Sequence, residues 1–205
     1  MHHIYTTKAI IIKSISIGEA NKYYFLLTQD LGFIKASAQS VRLGKSKLKG
    51  HLQDFCLVNI SLVKGRDFWR IVGVETIECE NFLKNINKLI AIKNIFSLLL
   101  RLLHGEEKNE ALFYSVESFY NFLLKNELSL ENIKNLETIT VLRILYYLGY
   151  FKITSSIKNV GVDVGFDLSD FVKDYELSID ILNLFDNKKR IAILNINKAL
   201  KETHL

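Results

Sequence analysis

Lys35, Arg42, Lys45, Lys47 and Lys49 all fall between Asp30 and Asp54, an interval that contains no Asp or Glu. Clustered cations without competing carboxylates have one evident chemistry, the neutralisation of an anion that follows the protein surface, and a phosphodiester backbone is the first candidate. Lys64, Arg66 and Arg70 extend the basic set along the chain, diluted by Asp67. From Met1 to Glu78, eleven Lys and Arg stand against six Asp and Glu, whereas Cys79 to Leu205 holds sixteen of each. The formal net charge of +5 therefore belongs to the first part, and two modules with different tasks are expected.

Aromatic side chains beside such cations can stack on nucleic-acid bases. Tyr23 and Tyr24 are adjacent, so on a strand they point to opposite faces and at most one belongs to a core. Tyr23 and Trp69 are the candidates for stacking, with Phe33, Phe55 and Phe68 behind them. An aromatic in a small barrel is more often core than platform. Enzyme chemistry finds no support. His2, His3, His51, His104 and His204 pair with no carboxylate or cysteine at a metal-site or nucleophile spacing, and Gly44-Lys45-Ser46 is only the tail of a phosphate loop. No catalytic residue, metal or cofactor is expected.

The elements that must position these residues change character along the chain. Thr7 to Ile17, Lys22 to Thr28, Gly32 to Ser40, Phe55 to Val63 and Phe68 to Thr76 are rich in Ile, Val, Phe, Tyr and Thr and are separated by glycine-bearing turns. Five strands with short turns and one long connection, Val41 to Asp54, have the layout of an OB-fold. From Glu80 the period becomes helical, with Leu89, Ile92, Phe96, Leu99, Leu100 and Leu103 on one face. Further helices are predicted over Asn109 to Lys125, Leu130 to Leu148 with Gly149 as the stop, Ser178 to Phe185 and Lys188 to Thr203. Tyr150 to Tyr175, with Gly161 and Gly165, reads as a loop or small hairpin. The fold class is α+β: a five-stranded barrel over residues 1–79 followed by an all-helical domain over 80–205.

With 49% apolar residues the chain can bury a core, and disorder is not expected. Cys56 and Cys79 suggest neither a disulfide framework nor a zinc site, which fits a reducing, cytoplasmic setting. The apolar run Ala9 to Ile12 is too short for a signal peptide. The run Leu89 to Leu103 is broken by Lys93, Asn94 and Arg101, so no membrane span is expected.

The first module resembles the amino-terminal domain of the bacterial recombination mediator RecO family. The resemblance rests on the strand Ala9-Ile10-Ile11-Ile12-Lys13, the turns Gly18-Glu19-Ala20 and Leu31-Gly32, the basic Lys45-Ser46-Lys47-Leu48, and Leu52-Gln53-Asp54-Phe55. In the helical part, Leu142-Arg143-Ile144-Leu145 and Leu148-Gly149-Tyr150 look like the family's helix end. The resemblance implies an OB-fold that binds single- and double-stranded DNA, a helical domain that contacts RecR and the tail of single-strand DNA-binding protein, strand annealing, and help in loading RecA. An acidic, aromatic-ended tail would want an apolar groove edged by a cation, a part that Arg101 or Arg143 is placed to take, although each is as readily an ordinary helix-surface arginine. Many relatives carry a four-cysteine zinc site after Leu-Gly-Tyr. Here Ile157 and Val160 stand near the first pair, so apolar packing with Val162 is expected in place of zinc.

Two other readings compete. A protein-interaction adaptor would use the basic loop only for solubility, and an RNA-binding OB module cannot be told from its DNA counterpart by lysines alone.

Overall fold

The computed structural model describes residues 3–80, 82, 85–150, 168–173 and 176–202. Five strands, β1 (Ile4–Ile17), β2 (Asn21–Thr28), β3 (Gly32–Ala38), β4 (Leu57–Lys64) and β5 (Trp69–Glu78), close into a barrel of order β1-β2-β3-β5-β4. Closure works because β1 serves two neighbours. Residues from Ile4 to Ile10 pair with β4, and those from Ala9 to Ile17 pair with β2. Within the stretch paired with β2 the register shifts at Ile12, a bulge that bends the strand around the barrel. A parallel pairing, β3 with β5 through Ala36–Trp69 and Ser37–Arg70, seals the far side. This is the OB-fold order expected from the strand spacing.

Alternation decides what lies inside. Tyr24, Leu26, Ile34, Ala36, Val58, Ile60, Leu62 and Ile71 fill the interior, and Val41 and Leu52 from the long connection join them. That connection is a chain of tight turns: Leu43 N–H donates to the Ser40 carbonyl, Ser46 to Leu43, and Lys49 to Ser46. Its two ends are anchored in the core, Leu48 packs against that core in part, and Arg42, Lys45, Lys47 and Lys49 stay in solvent.

Cys56 and Cys79 are joined as a disulfide, with Cα atoms 4.5 Å apart. This departs from the expectation of no disulfide framework, and cysteine usage therefore no longer argues for a reducing setting. The pairing of Leu57 with Glu78 places the two cysteines at the next cross-strand position, a closeness that 23 residues of intervening sequence conceal.

Among the described residues six α-helices follow: α1 (Ile86–Leu102), α2 (Glu110–Lys125), α3 (Leu130–Tyr147), α4 (Leu168–Lys173), α5 (Ile179–Phe185) and α6 (Lys189–Glu202). Polar caps set their starts. Asn109 Oδ1 accepts from Leu112 N–H, Ser129 Oγ from Asn132 N–H, and Ser178 Oγ from Ile181 N–H, each satisfying a donor the first turn leaves open. Gly149 stops α3 in the left-handed conformation (φ 79°), with Gly149 N–H donating to Tyr146 and Tyr150 N–H to Leu145, as its position after the helix predicts. α4 falls inside the stretch expected to be loop or hairpin. Ile157, Val160, Gly161, Val162 and Gly165, on which the expectation of apolar packing in place of zinc falls, lie outside the described residues. Among the described residues no helix is long and apolar enough to cross a membrane, and no cluster of metal-ligating side chains occurs.

Two compact units result, Met1–Lys84 with Leu102–Phe113, and Asn85–Arg101 with Tyr114–Leu205. The segment after α1 thus belongs with the barrel rather than with the helices. Gly32 lies against it. This residue sits at φ 72°, and a Cβ there would collide with the Glu107 backbone. In the second unit α3 packs against α4, α5 and α6.

Candidate nucleic-acid interface

Two surfaces of the barrel unit collect the cations. The first is the long connection, on which Arg42, Lys45, Lys47 and Lys49 are all exposed. Among the described residues, Lys45, Lys47 and Lys49 have no carboxylate partner. Arg42 has a second task. Its Nη1 donates to the Gly18 carbonyl at 2.7 Å and its backbone N–H to the Ala20 carbonyl, which ties the loop to the β1–β2 turn. At the other end of the loop His51 Nδ1 lies 2.9 Å from Thr76 Oγ1.

The second surface is the outer face of β1, β2, β3 and β5. Strand parity sends Tyr24 inward, where it is buried, and Tyr23 and Phe25 outward, where both are half-buried. Cross-strand pairing then sets Tyr23 between Ile15 and Ser37, and Phe25 between Lys13 and Lys35. Phe33 stacks on Phe25 with ring centroids 6.2 Å apart, and Phe68, from the β4–β5 turn, meets Tyr23 edge-on at 5.1 Å. Lys35 Nζ stands in the middle, 4.3 Å from the Tyr23 centroid and 5.9 Å from those of Phe25 and Phe68. Arg70, opposite Ser37, and Arg66, in the β4–β5 turn, are exposed at its rim. The turn is held by Gly65, whose N–H donates to the Phe68 carbonyl at 3.1 Å, an approach that a side chain on Gly65 would block.

Three expected site residues take other parts. Trp69 is a core residue rather than a stacking platform: it is 3% exposed, its ring meets Tyr5 edge-on at 5.2 Å, and its Nε1–H donates to Glu106 Oε1 at 2.9 Å. Lys64 is engaged by the same carboxylate, its Nζ 3.1 Å from Glu106 Oε2 and 5.2 Å from the Trp69 ring centroid. Arg143, expected at the edge of a partner groove, is 1% exposed. Its Nε donates to the Phe171 carbonyl at 2.7 Å, and one turn later Tyr147 OH donates to the Val172 carbonyl, so α3 closes the last carbonyls of α4. A guanidinium so placed cannot edge a surface groove. Arg101, in the last turn of α1, is exposed.

Sequence reasoning passed over Phe25 and Lys13. Their signal was parity: once Tyr23 points outward, so does Phe25 two residues on. Glu106, which orients Trp69 and Lys64, carries no local signal.

Residues 1–79 match the family model described as recombination protein O N terminal. Among curated proteins, the DNA repair protein RecO of Dehalococcoides mccartyi strain 195 is 45% identical over 76 residues, 37% of this chain and 30% of that protein. The protein of the same name from Gloeothece citriformis is 31% identical over 114 residues, 55% of this chain and 40% of the relative. That from Caldanaerobacter subterraneus subsp. tengcongensis is 28% identical over 156 residues, covering 73% and 60%. The match thus spans about a third of the Dehalococcoides relative and less than two thirds of the others. The closed barrel of residues 1–79 thus carries, along its full length, the pattern of the amino-terminal domain of the RecO family of DNA repair proteins.

Proposed function

We propose that the chain is a non-enzymatic DNA-binding mediator of recombinational repair, acting in the cytoplasm. It holds single- and double-stranded DNA through Lys35, Arg42, Lys45, Lys47, Lys49, Arg66 and Arg70, with Lys64 a lesser contributor because Glu106 already holds it. The observation that carries this is the basic loop. Its ends are fixed in the core through Val41 and Leu52, and its exposed lysines form no ion pair with a carboxylate among the described residues. Phosphate neutralisation releases counterions and needs no base contact, so a bound strand keeps its pairing edges free. Annealing of complementary strands follows from the same physics, since lowered repulsion lets two strands meet. Co-operation with RecR and with the tail of single-strand DNA-binding protein in loading RecA completes the reading, with Arg101 as the exposed cation for an acidic tail.

The test is binding of a labelled single-stranded oligonucleotide across a salt series by the native chain and by a variant with Lys45, Lys47 and Lys49 all changed to Glu. Four or five phosphate contacts give a log-log slope of roughly −3. The reading requires steep salt dependence in the native chain and loss of binding in the folded variant. No binding at low salt would favour a protein-interaction adaptor, equal binding by both proteins would move the DNA surface elsewhere, and preference for matched RNA would favour an RNA-binding module.

A further inference from the structure

We propose that the outer face formed by Tyr23, Phe25, Phe33 and Phe68 around Lys35 is a stacking site for unpaired DNA bases, distinct from the phosphate-holding loop. The proposal rests on the DNA-binding reading and adds to it a source of preference for single strands.

Four rings on one barrel face, from three separate segments, are more than packing demands. The barrel interior is filled without them, and Phe68 keeps 41% of its surface exposed. Their mutual contacts, Phe25 on Phe33 and Tyr23 against Phe68, hold the rings in fixed orientations, which lowers the ordering that a stacked base would impose. Charge suits the same ligand. Lys13, Lys35, Arg66 and Arg70 surround the rings, with Asp67 the acid in the adjoining turn. Unpaired bases in a strand are aromatic surfaces attached to an anionic backbone, so rings and cations together suit them. In a duplex those faces are occupied by neighbouring pairs, so this face discriminates where the loop does not.

Lys35 fills the gap between Tyr23, Phe25 and Phe68 in the free protein. A base entering there displaces its ammonium, which needs only to swing along its flexible stem to reach the phosphate that arrives with the base. The cation is thus retained by the site in both states, over the rings before binding and against the backbone after it.

The experiment compares two labelled strands of equal length and charge, oligothymidylate and a base-free strand of abasic spacers, at low salt. The native chain is expected to bind the thymidylate strand about tenfold more tightly. A Phe25→Ala, Phe68→Ala variant, shown to be folded by its circular dichroism and single-tryptophan emission, is expected to bind both strands alike with the native salt slope. If that variant does not fold, photo-crosslinking of the native chain to a 5-iodouracil strand serves instead, and adducts are expected on the Tyr23, Phe25 and Phe68 peptides. Equal native affinity for both strands overturns the stacking site while leaving the DNA reading intact. A base preference that survives in the variant, or crosslinks confined to other segments, also overturns it. Binding of neither strand overturns the DNA reading, and this inference with it.

Discussion

Lys35 Nζ lies 4.3 Å from the centre of the Tyr23 ring, close enough for a cation–π contact on an exposed barrel face. Such a contact stabilises by about 0.5–1 kcal/mol in solvent, and base stacking on an aromatic by about 1–3 kcal/mol, so a base wins the exchange. Lys35→Ala removes both the plug and a phosphate contact. The expected result is a small net change in single-strand affinity at low salt, with the salt slope reduced by roughly 0.7. Lys47→Ala, with no ring to uncover, is expected to lose affinity while the slope falls equally. A titration of both variants across salt separates the two behaviours.

Trp69 and Glu106 make the opposite case, an aromatic and a charge that serve the fold. Trp69 is buried and hydrogen-bonded to Glu106, so Trp69→Ala is expected to cost about 3–5 kcal/mol by urea unfolding followed by circular dichroism. Trp69→Phe fills most of the space. Glu106 is half-exposed and can be hydrated once its indole donor is gone. That variant is therefore expected to fold with nearly native affinity for single strands. A large loss of affinity in folded Trp69→Phe would return Trp69 to the stacking site.

How far the sequence could be read depended on the range of the information. The barrel was legible because alternation and turn glycines act over a few residues, and the basic loop because acid depletion is a local count. The adjacency of Tyr23 and Tyr24 guaranteed one outward ring. Which of them turned inward depended on pairing with Ala36 and on the bulge at Ile12, neither visible locally. Trp69 and Arg143 were misplaced for a related reason. Their partners, Glu106 and Phe171, lie 37 and 28 residues away, and polar ends that look destined for solvent are satisfied only once the chain has closed. The Cys56–Cys79 pairing was hidden likewise, by a register that only β4 and β5 together define.

Arg143 is expected to matter for stability rather than for partner binding. Replacing it by Ala leaves the Phe171 carbonyl without its charged donor and opens space under α4, a loss of about 2–4 kcal/mol in chemical unfolding. Arg143→Lys should recover little of this, since an ammonium cannot reproduce a planar fork at the same place. Arg101→Ala, at an exposed site, is expected to leave the unfolding midpoint unchanged. If the two arginines behaved alike in unfolding, the role assigned to Arg143 would be wrong.

Tyr24 gives the barrel a pH dependence with a definite sign. Burial, and secondarily the negative charge of Asp54, push its phenol up to about 12 from an ordinary value of 10.0. Below pH 10 the phenol is protonated in both folded and unfolded chains and contributes no slope. Between pH 10 and 12 the unfolded chain releases the proton while the folded barrel retains it, so unfolding gains free energy and stability falls. Above 12 both forms ionise and the deficit stops growing. Tyr24→Phe keeps the ring in place and removes the ionisation. The difference in unfolding free energy between the native chain and Tyr24→Phe is therefore expected to be flat from pH 8 to 10 and then to shift in favour of the variant as pH rises. A difference that stayed flat through pH 11.5 would mean that the phenol reaches water in the folded barrel.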